Sequence, residues 1–303
     1  MIAPPPRTPG LAILPTVTTT DLRARIDAAL AMFLDARRDQ VERLDPAALR
    51  LVEEVRRLVG AGGKRIRPAF CYWGFRAAGG GDDAATGDAI VRAAAALELL
   101  HTMAIVHDDL IDGAKERRGV PSTAVWFSDR AAELGAPGDP RDFGASMAIL
   151  VGDVSAVWAD GLLLASGFKP GELVSALVVY HDMREHMAVG QSMDVAGATG
   201  DPEVARRAAA LKGGSYTVEG PLLIGAALAG GSTDVRECLA RYGRPLGEAF
   251  QLRDDLEDGE EAPGVTRDTV NGLVAEAKES LDPALLPAES IDALGELADM
   301  VAM

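Results

Sequence analysis

Apolar residues recur along most of this chain at intervals of three and four, the spacing of one face of an α-helix. Leu22, Ile26, Ala29, Leu30, Phe33 and Leu34 form one such stripe, and Asp21 stands where it can cap the helix start, so order is expected from near Thr20. A second helix is predicted over Ala47 to Val59, stopping at Gly60. The stretch Asp88 to Ile111 is apolar on nearly every face, through Ile90, Val91, Ala94, Leu97, Leu100, Ala104 and Ile105. Such a helix belongs in the centre of a bundle and carries whatever stands at its end into the interior. Further helices are predicted at Phe143 to Ala165, Leu173 to Val195, Pro202 to Leu228 and Val235 to Glu257, divided by Gly, Pro and Asp clusters. The expected fold class is all-α. Residues Ala3 to Pro15 hold five prolines and little apolar pattern, so a disordered tail is expected over 1–20 and one helical domain over 21–303.

Composition agrees with this pattern. The 303 residues are 48% hydrophobic but only 5% aromatic, enough to bury a large core without disulfides. The net charge of −16 argues against nucleic acid or anionic membrane as a partner, since both need a basic footprint. Against that background the cationic clusters Lys64 to Arg67 and Arg117–Arg118 stand out as candidates for a specific anion. Cys71 and Cys238 show no metal-ligand spacing and no signal segment opens the chain, which suggests a cytoplasmic location. No apolar run was expected to reach the roughly 18 residues that cross a bilayer, so no stable membrane insertion is expected.

The sharpest chemical feature is His-Asp-Asp-Leu-Ile-Asp, which places Asp108, Asp109 and Asp112 at the end of the apolar helix. Residues four apart lie one above the other on a helix, so Asp108 and Asp112 can grip one metal region. Carboxylates so close repel one another and oppose the helix dipole, and Mg²⁺ would relieve both costs. The pattern returns at Asp254, Asp255 and Asp258. Two such helix ends suggest carboxylate plates facing each other across a cavity, with a diphosphate bridged between them by Mg²⁺; two solvated acidic helix ends are the plainer alternative.

Arg117 and Arg118 follow the first plate, and guanidinium groups recognise phosphate oxygens bidentately. Upstream, Gly62-Gly63-Lys64-Arg65-Ile66-Arg67-Pro68 spaces Lys64 and Arg67 to share a helix face as a second anion seat. His101, two turns before Asp108, suits either a phosphate ligand or a packed core imidazole. Gln191 and Lys212 break apolar helical patterns and are candidates to reach the cavity or to sit at a surface bend, whereas His181 and His186 read as exposed polar positions.

Taken together, Gly-Gly-Lys-Arg-Ile-Arg-Pro, Asp-Asp-Leu-Ile-Asp with Arg-Arg-Gly, Gly-Gln-Ser-Met-Asp, the Lys212 segment and Phe-Gln-Leu-Arg-Asp-Asp resemble the trans-type isoprenyl diphosphate synthases, the polyprenyl synthetase family. The resemblance runs from about Asp21 to Asp258. It implies an antiparallel helical bundle around a deep central cavity, a homodimer, and three Mg²⁺ ions held by the six aspartates. It implies that Lys64, Arg67, His101 and Arg118 seat isopentenyl diphosphate, that Arg117 and Lys212 bind an allylic diphosphate, and that Gln191 and Gln251 line the substrate site. Catalysis would then fall to Asp108, Asp109, Asp112, Arg117, Lys212, Asp254 and Asp255. By the same analogy Met103 and Ala104, about one turn before Asp108, form the wall that sets chain length. With no aromatic there, a product of about fifteen to twenty carbons or a little longer is expected.

Two departures from the family pattern bear on function. Lys212-Gly213 stands where the family has Lys-Thr, so a hydroxyl is lost or supplied by Ser215. After Asp258 the chain passes through Gly259 to Gly264 into what resembles the family's last helices, Thr266 to Leu281 and Ile291 to Met303, which reads as a shortened region without the usual lysine loop. Two functions therefore stand beside chain elongation: a terpene synthase that ionises a prenyl diphosphate without isopentenyl diphosphate, and a non-catalytic regulatory subunit.

Overall fold

A computed structural model describes residues 19–117, 119–197, 202–258 and 265–303, so most of the expected 1–20 tail lies outside the described residues. The periodic segments are helices: α1 (Thr19–Leu44), α2 (Leu49–Gly60), α3 (Ile66–Ala77), α4 (Ala84–Ile111), α5 (Thr123–Arg130), α6 (Pro140–Leu164), α7 (Pro170–Val195), α8 (Pro202–Ala209), α9 (Gly220–Leu228), α10 (Thr233–Asp258), α11 (Arg267–Glu279) and α12 (Ala288–Asp299). Between α8 and α9 the coil widens into a π-helical stretch, Ala210–Glu219. The run Pro202 to Leu228, expected as one helix, is therefore helical throughout but not uniform. Its apolar spacing does not distinguish a narrow from a wide coil, and Gly213 and Gly214 make the wide one sterically cheap.

The stripe on α1 packs as its spacing requires, with Leu22, Ile26, Leu30 and Leu34 all buried. Asp21 lies in the first turn of this helix, where a carboxylate complements the dipole. Helix α4 begins at a side-chain cap, Asp83 accepting from the Thr86 amide at 3.2 Å, and ends with Asp112 as its C-cap. It runs through the centre of the bundle, packed chiefly on α6 and also on α3 and α1. Both α4 and α6 are long and apolar enough to cross a bilayer by length and composition, which corrects the expectation that no stretch would qualify. In α4, 72% of the apolar window is buried inside the fold, and in α6 50%. For α4 the apolarity is accounted for by neighbouring helices.

Three elements were not anticipated. Helix α3 is short and hydrophobic on all sides, with Phe70, Cys71, Tyr72, Trp73 and Phe75 buried, so it shows no amphipathic period. Helix α5 spans only eight residues. Between α4 and α5 a small antiparallel ladder pairs β1 (Glu116–Arg117) with β2 (Val120–Pro121), Arg117 facing Val120. The pairing sets Arg117 beside the end of α4.

Candidate active site

One cavity of about 900 Å³ opens among α4, α7, the π-helical stretch and α10. Asp108 from the end of α4 and Asp254 from the end of α10 both line it, together with Arg67, His101, Arg117, Gln191, Lys212 and Gln251. Two acidic helix ends more than a hundred residues apart thus share one hollow. The remaining predicted carboxylates are placed differently. Asp109 is buried and bound by Arg117, whose Nε and Nη2 each lie 2.6 Å from Asp109 Oδ1. Burial raises the Asp109 pKa, and Arg117 opposes that rise. Asp109 therefore anchors Arg117 to α4. Asp112 is exposed, and its pKa is raised first by partial burial and then by repulsion from Asp108. Asp255 accepts from Gln251 Nε2 at 2.7 Å. The side chain of Asp258 and all of Arg118 lie outside the described residues.

Lys212 is the centre of this end of the cavity. A Cβ on Gly190 would stand 2.5 Å from the Lys212 amide nitrogen, so α7 and the π-helical stretch touch backbone to backbone only because position 190 is glycine. That contact sets Lys212 Nζ between Asp108 Oδ1 at 3.1 Å and Asp194 Oδ2 at 2.8 Å. Burial alone would lower the ammonium pKa, but the two carboxylates outweigh it and the net shift is upward. Lys212 stays charged. Asp194, the last residue of Gly-Gln-Ser-Met-Asp, was not singled out, because only the chain crossing at Gly190 brings it to the lysine.

The second anion seat also differs from the sequence reading. Arg65, not Lys64, is the buried member of Lys64–Arg67, and its backbone adopts the left-handed conformation at φ 51° just before α3. Its guanidinium bonds Asp27 on α1 (2.8 Å), Glu98 on α4 (2.6 Å) and the Val59 carbonyl (2.8 Å). The turn breaks the expected shared helix face. Lys64 is exposed and absent from the cavity lining, whereas Arg67, on the first turn of α3, reaches it. Arg67 Nη2 donates to Thr217 Oγ1 at 2.9 Å, and its guanidinium lies 4.3 Å from the centre of the Tyr216 ring. Tyr216 OH and His101 Nδ1 are 3.0 Å apart. Burial pushes the Tyr216 phenol up to about 12, so it stays neutral beside the imidazole. Ser215 is absent from the cavity lining, where the hydroxyl residues are Ser192, Tyr216 and Thr217. Arg67 Nε and Gln191 Nε2 are buried without a hydrogen-bond partner, and buried unpaired donors on a cavity wall mark a place for an acceptor-rich ligand.

Among the described residues no three Asp, Glu, His or Cys side chains converge as a complete metal site. The donor set nevertheless suits Mg²⁺, which is usually held by one or two carboxylates and completes its shell with water and substrate phosphate oxygens. Asp108 and Asp112 on one side and Asp254 on the other fit that role. Below the charged end the wall becomes apolar, with Met103, Ala104 and Ile105 from α4, Met187 and Ala188 from α7, and Phe250 from α10. His181, given no role from sequence, is exposed and lies on this cavity's edge.

An all-helical bundle enclosing a deep cavity, charged at one end and greasy below, has the isoprenoid synthase fold. The chain belongs to the polyprenyl synthetase family, whose profile matches residues 49–278. It is 32% identical over 234 residues to the short chain isoprenyl diphosphate synthase of Methanothermobacter thermautotrophicus, covering 73% of this chain and 61% of that enzyme. It is 30% identical over 246 residues to the geranylfarnesyl diphosphate synthase of Aeropyrum pernix, covering 79% and 69%. A solved geranylgeranyl pyrophosphate synthase from Corynebacterium glutamicum, complexed with isoprenyl diphosphate and magnesium, superposes with a TM-score of 0.86 at 26% identity over 94% of this chain and 99% of that one.

Proposed function

We propose that this protein is a Mg²⁺-dependent prenyltransferase that condenses an allylic diphosphate with isopentenyl diphosphate into a longer trans-prenyl diphosphate. The observation that carries this reading is the single cavity lined by Asp108, Asp254, Lys212 and Arg117 at one end, Arg67 and His101 beside them, and apolar residues below. In the reaction the allylic carbon–oxygen bond breaks with its electron pair leaving on the diphosphate. The terminal alkene carbon of isopentenyl diphosphate then bonds to the allylic carbon, and a neighbouring carbon gives up its proton, with the departed diphosphate as acceptor.

Mg²⁺ bound by Asp108, Asp112 and Asp254 would neutralise the leaving diphosphate; three ions is the number the family resemblance implies. Lys212, fixed in its charged form, and Arg117, held by Asp109, add preorganised positive charge at the same place. The unpaired donors of Arg67 and Gln191, with the His101 imidazole beside them, suit the diphosphate of the second substrate. The apolar depth excludes water from the carbocation and takes up the growing chain.

The same reading includes a homodimer in the cytoplasm. Leu150, Val157 and Leu164 recur every seven residues on the solvent face of α6, and Val174, Val178 and Val189 are exposed on α7. A heptad stripe left in water favours pairing with a second helix face.

The test is incubation of purified protein and Mg²⁺ with each allylic diphosphate, with and without isopentenyl diphosphate. Longer diphosphates formed only with isopentenyl diphosphate support elongation. Hydrocarbons or alcohols formed without it would make the chain a terpene synthase, and inactivity in both would leave the regulatory subunit. Asp108→Ala and Asp254→Ala are each expected to abolish turnover with helical content retained.

A further inference from the structure

Helices α4 and α7 deliver their C-terminal ends to the charged end of the cavity, because Lys212 joins Asp108 to Asp194 in the last turn of each. Moving backward along either helix therefore descends into the cavity. On α4 this passes Met103, five residues and roughly 7.5 Å below Asp108 at 1.5 Å per residue. On α7 it passes Ala188 and Met187 and arrives at Arg184, ten residues and roughly 15 Å below Asp194. Arg184 lines the same cavity, about twice as deep as Met103.

Arg184 is not a loose surface arginine. Its Nη1 lies 2.9 Å from Asp160 Oδ1 on α6, and the same oxygen accepts from the Tyr180 hydroxyl at 2.9 Å. The guanidinium also sits 5.2 Å from the centre of the Tyr180 ring, and Tyr180 is fully buried. Carboxylate, phenol and ring together hold the charged plane in place. Exposed Glu185 and His181 extend this polar wall.

We propose that the Arg184–Asp160 pair is the stop that sets the longest product, a role that rests on the elongation reading above. Each added isoprene unit gains by moving along Met103, Ala104, Met187 and Ala188, where apolar surface leaves water. At Arg184 the gain ends. A hydrocarbon end pressed there would strip water from a charged pair and return no hydrogen bond. Met103 is an adaptable side chain that yields to a passing chain, whereas Arg184 is pinned.

The test is the product distribution of the full-length protein with Mg²⁺, an allylic diphosphate and excess isopentenyl diphosphate, read by chromatography of the dephosphorylated alcohols. Arg184→Met keeps the side-chain length and removes the charge, and Arg184→Ala removes the obstacle. Both are expected to lengthen the longest major product by one isoprene unit or more. Arg184→Lys retains a charge and is expected to keep the wild-type limit, and Met103→Phe to shorten the product in both backgrounds. An unchanged distribution in folded Arg184→Met or Arg184→Ala overturns the proposal. Should both fail to fold by circular dichroism, Tyr180→Phe, which deletes only the hydroxyl bracing Asp160, carries the same expectation of longer products, and wild-type products from it overturn the proposal. Wild-type protein that makes no longer diphosphate refutes the elongation reading and this inference with it; a wild type that elongates beside unaltered variants refutes the inference alone.

Discussion

Lys212 Nζ stands 3.1 Å from Asp108 Oδ1, a cation from a widened helical turn set against the carboxylate near the end of the core helix. Both side chains are half-buried, so water dilutes their attraction less than at the open surface. Everything else at that end is arranged around this contact: Asp194 steadies the lysine from α7, and Arg117 reaches toward Asp108 from the other side at 3.4 Å.

Lys212→Ala is expected to lower kcat by about 10²- to 10³-fold, the usual cost of removing one preorganised charge from a developing anion. Asp194→Ala acts through the lysine and should cost about 10- to 100-fold, in the range of lost outer partners at metal sites. Steady-state kinetics at saturating Mg²⁺ check both. Undiminished kcat in Lys212→Ala would remove it from the catalytic end.

A Cβ at Gly213 would overlap the side-chain oxygen of Gln251, whose Nε2 donates to Asp255. Gly213→Thr therefore forces Gln251 out of its rotamer, at about 0.5–1.5 kcal/mol, and breaks its hydrogen bond to Asp255. The expected result is a rise of about two- to tenfold in the KM for the allylic diphosphate. An unaltered KM would show that Gln251 has room to move.

Arg65→Ala leaves Glu98 buried on α4 without its guanidinium partner. Breaking a buried pair from one side costs about 3–5 kcal/mol, so a clear fall in Tm is expected by calorimetry. Adding Glu98→Gln to the same chain removes the stranded charge and should recover part of the loss. No recovery would place the cost in the left-handed turn at Arg65 instead.

All four tyrosines, Tyr72, Tyr180, Tyr216 and Tyr242, are buried, and burial raises the pKa of each. For Tyr72 and Tyr216 it is pushed to about 12, against about 10 in the unfolded chain. The folded state then holds phenol protons that the unfolded state releases, so stability is complete below about pH 10 and falls as pH rises toward 12, by about 2–3 kcal/mol for each of these two. Tyrosinate absorbance and loss of helical ellipticity should rise together in an alkaline titration. Ionisation well below the unfolding transition would contradict the burial.

Much of this architecture was legible in local spacing. The stripe on α1, the all-round apolarity of α4 and the paired Asp-Asp-x-x-Asp segments are properties of residues three or four apart, and helix geometry alone converts them into faces. Helix α3 escaped because a helix buried on every side has no period to read. The π-helical stretch escaped because its apolar spacing does not reveal how wide the coil is.

By itself, then, the sequence determined an all-helical chain whose acidic ends stand on apolar helices, since those features depend only on near neighbours. Tertiary structure decided which charges face the hollow. It turned Arg65 inward to meet Glu98, bound Asp109 to Arg117, left Lys64 outside, set Asp194 against Lys212 and brought Tyr216 and Arg184 to the cavity. Those choices follow from where helices cross, and a crossing is fixed by packing between residues far apart in the chain, which no local pattern contains.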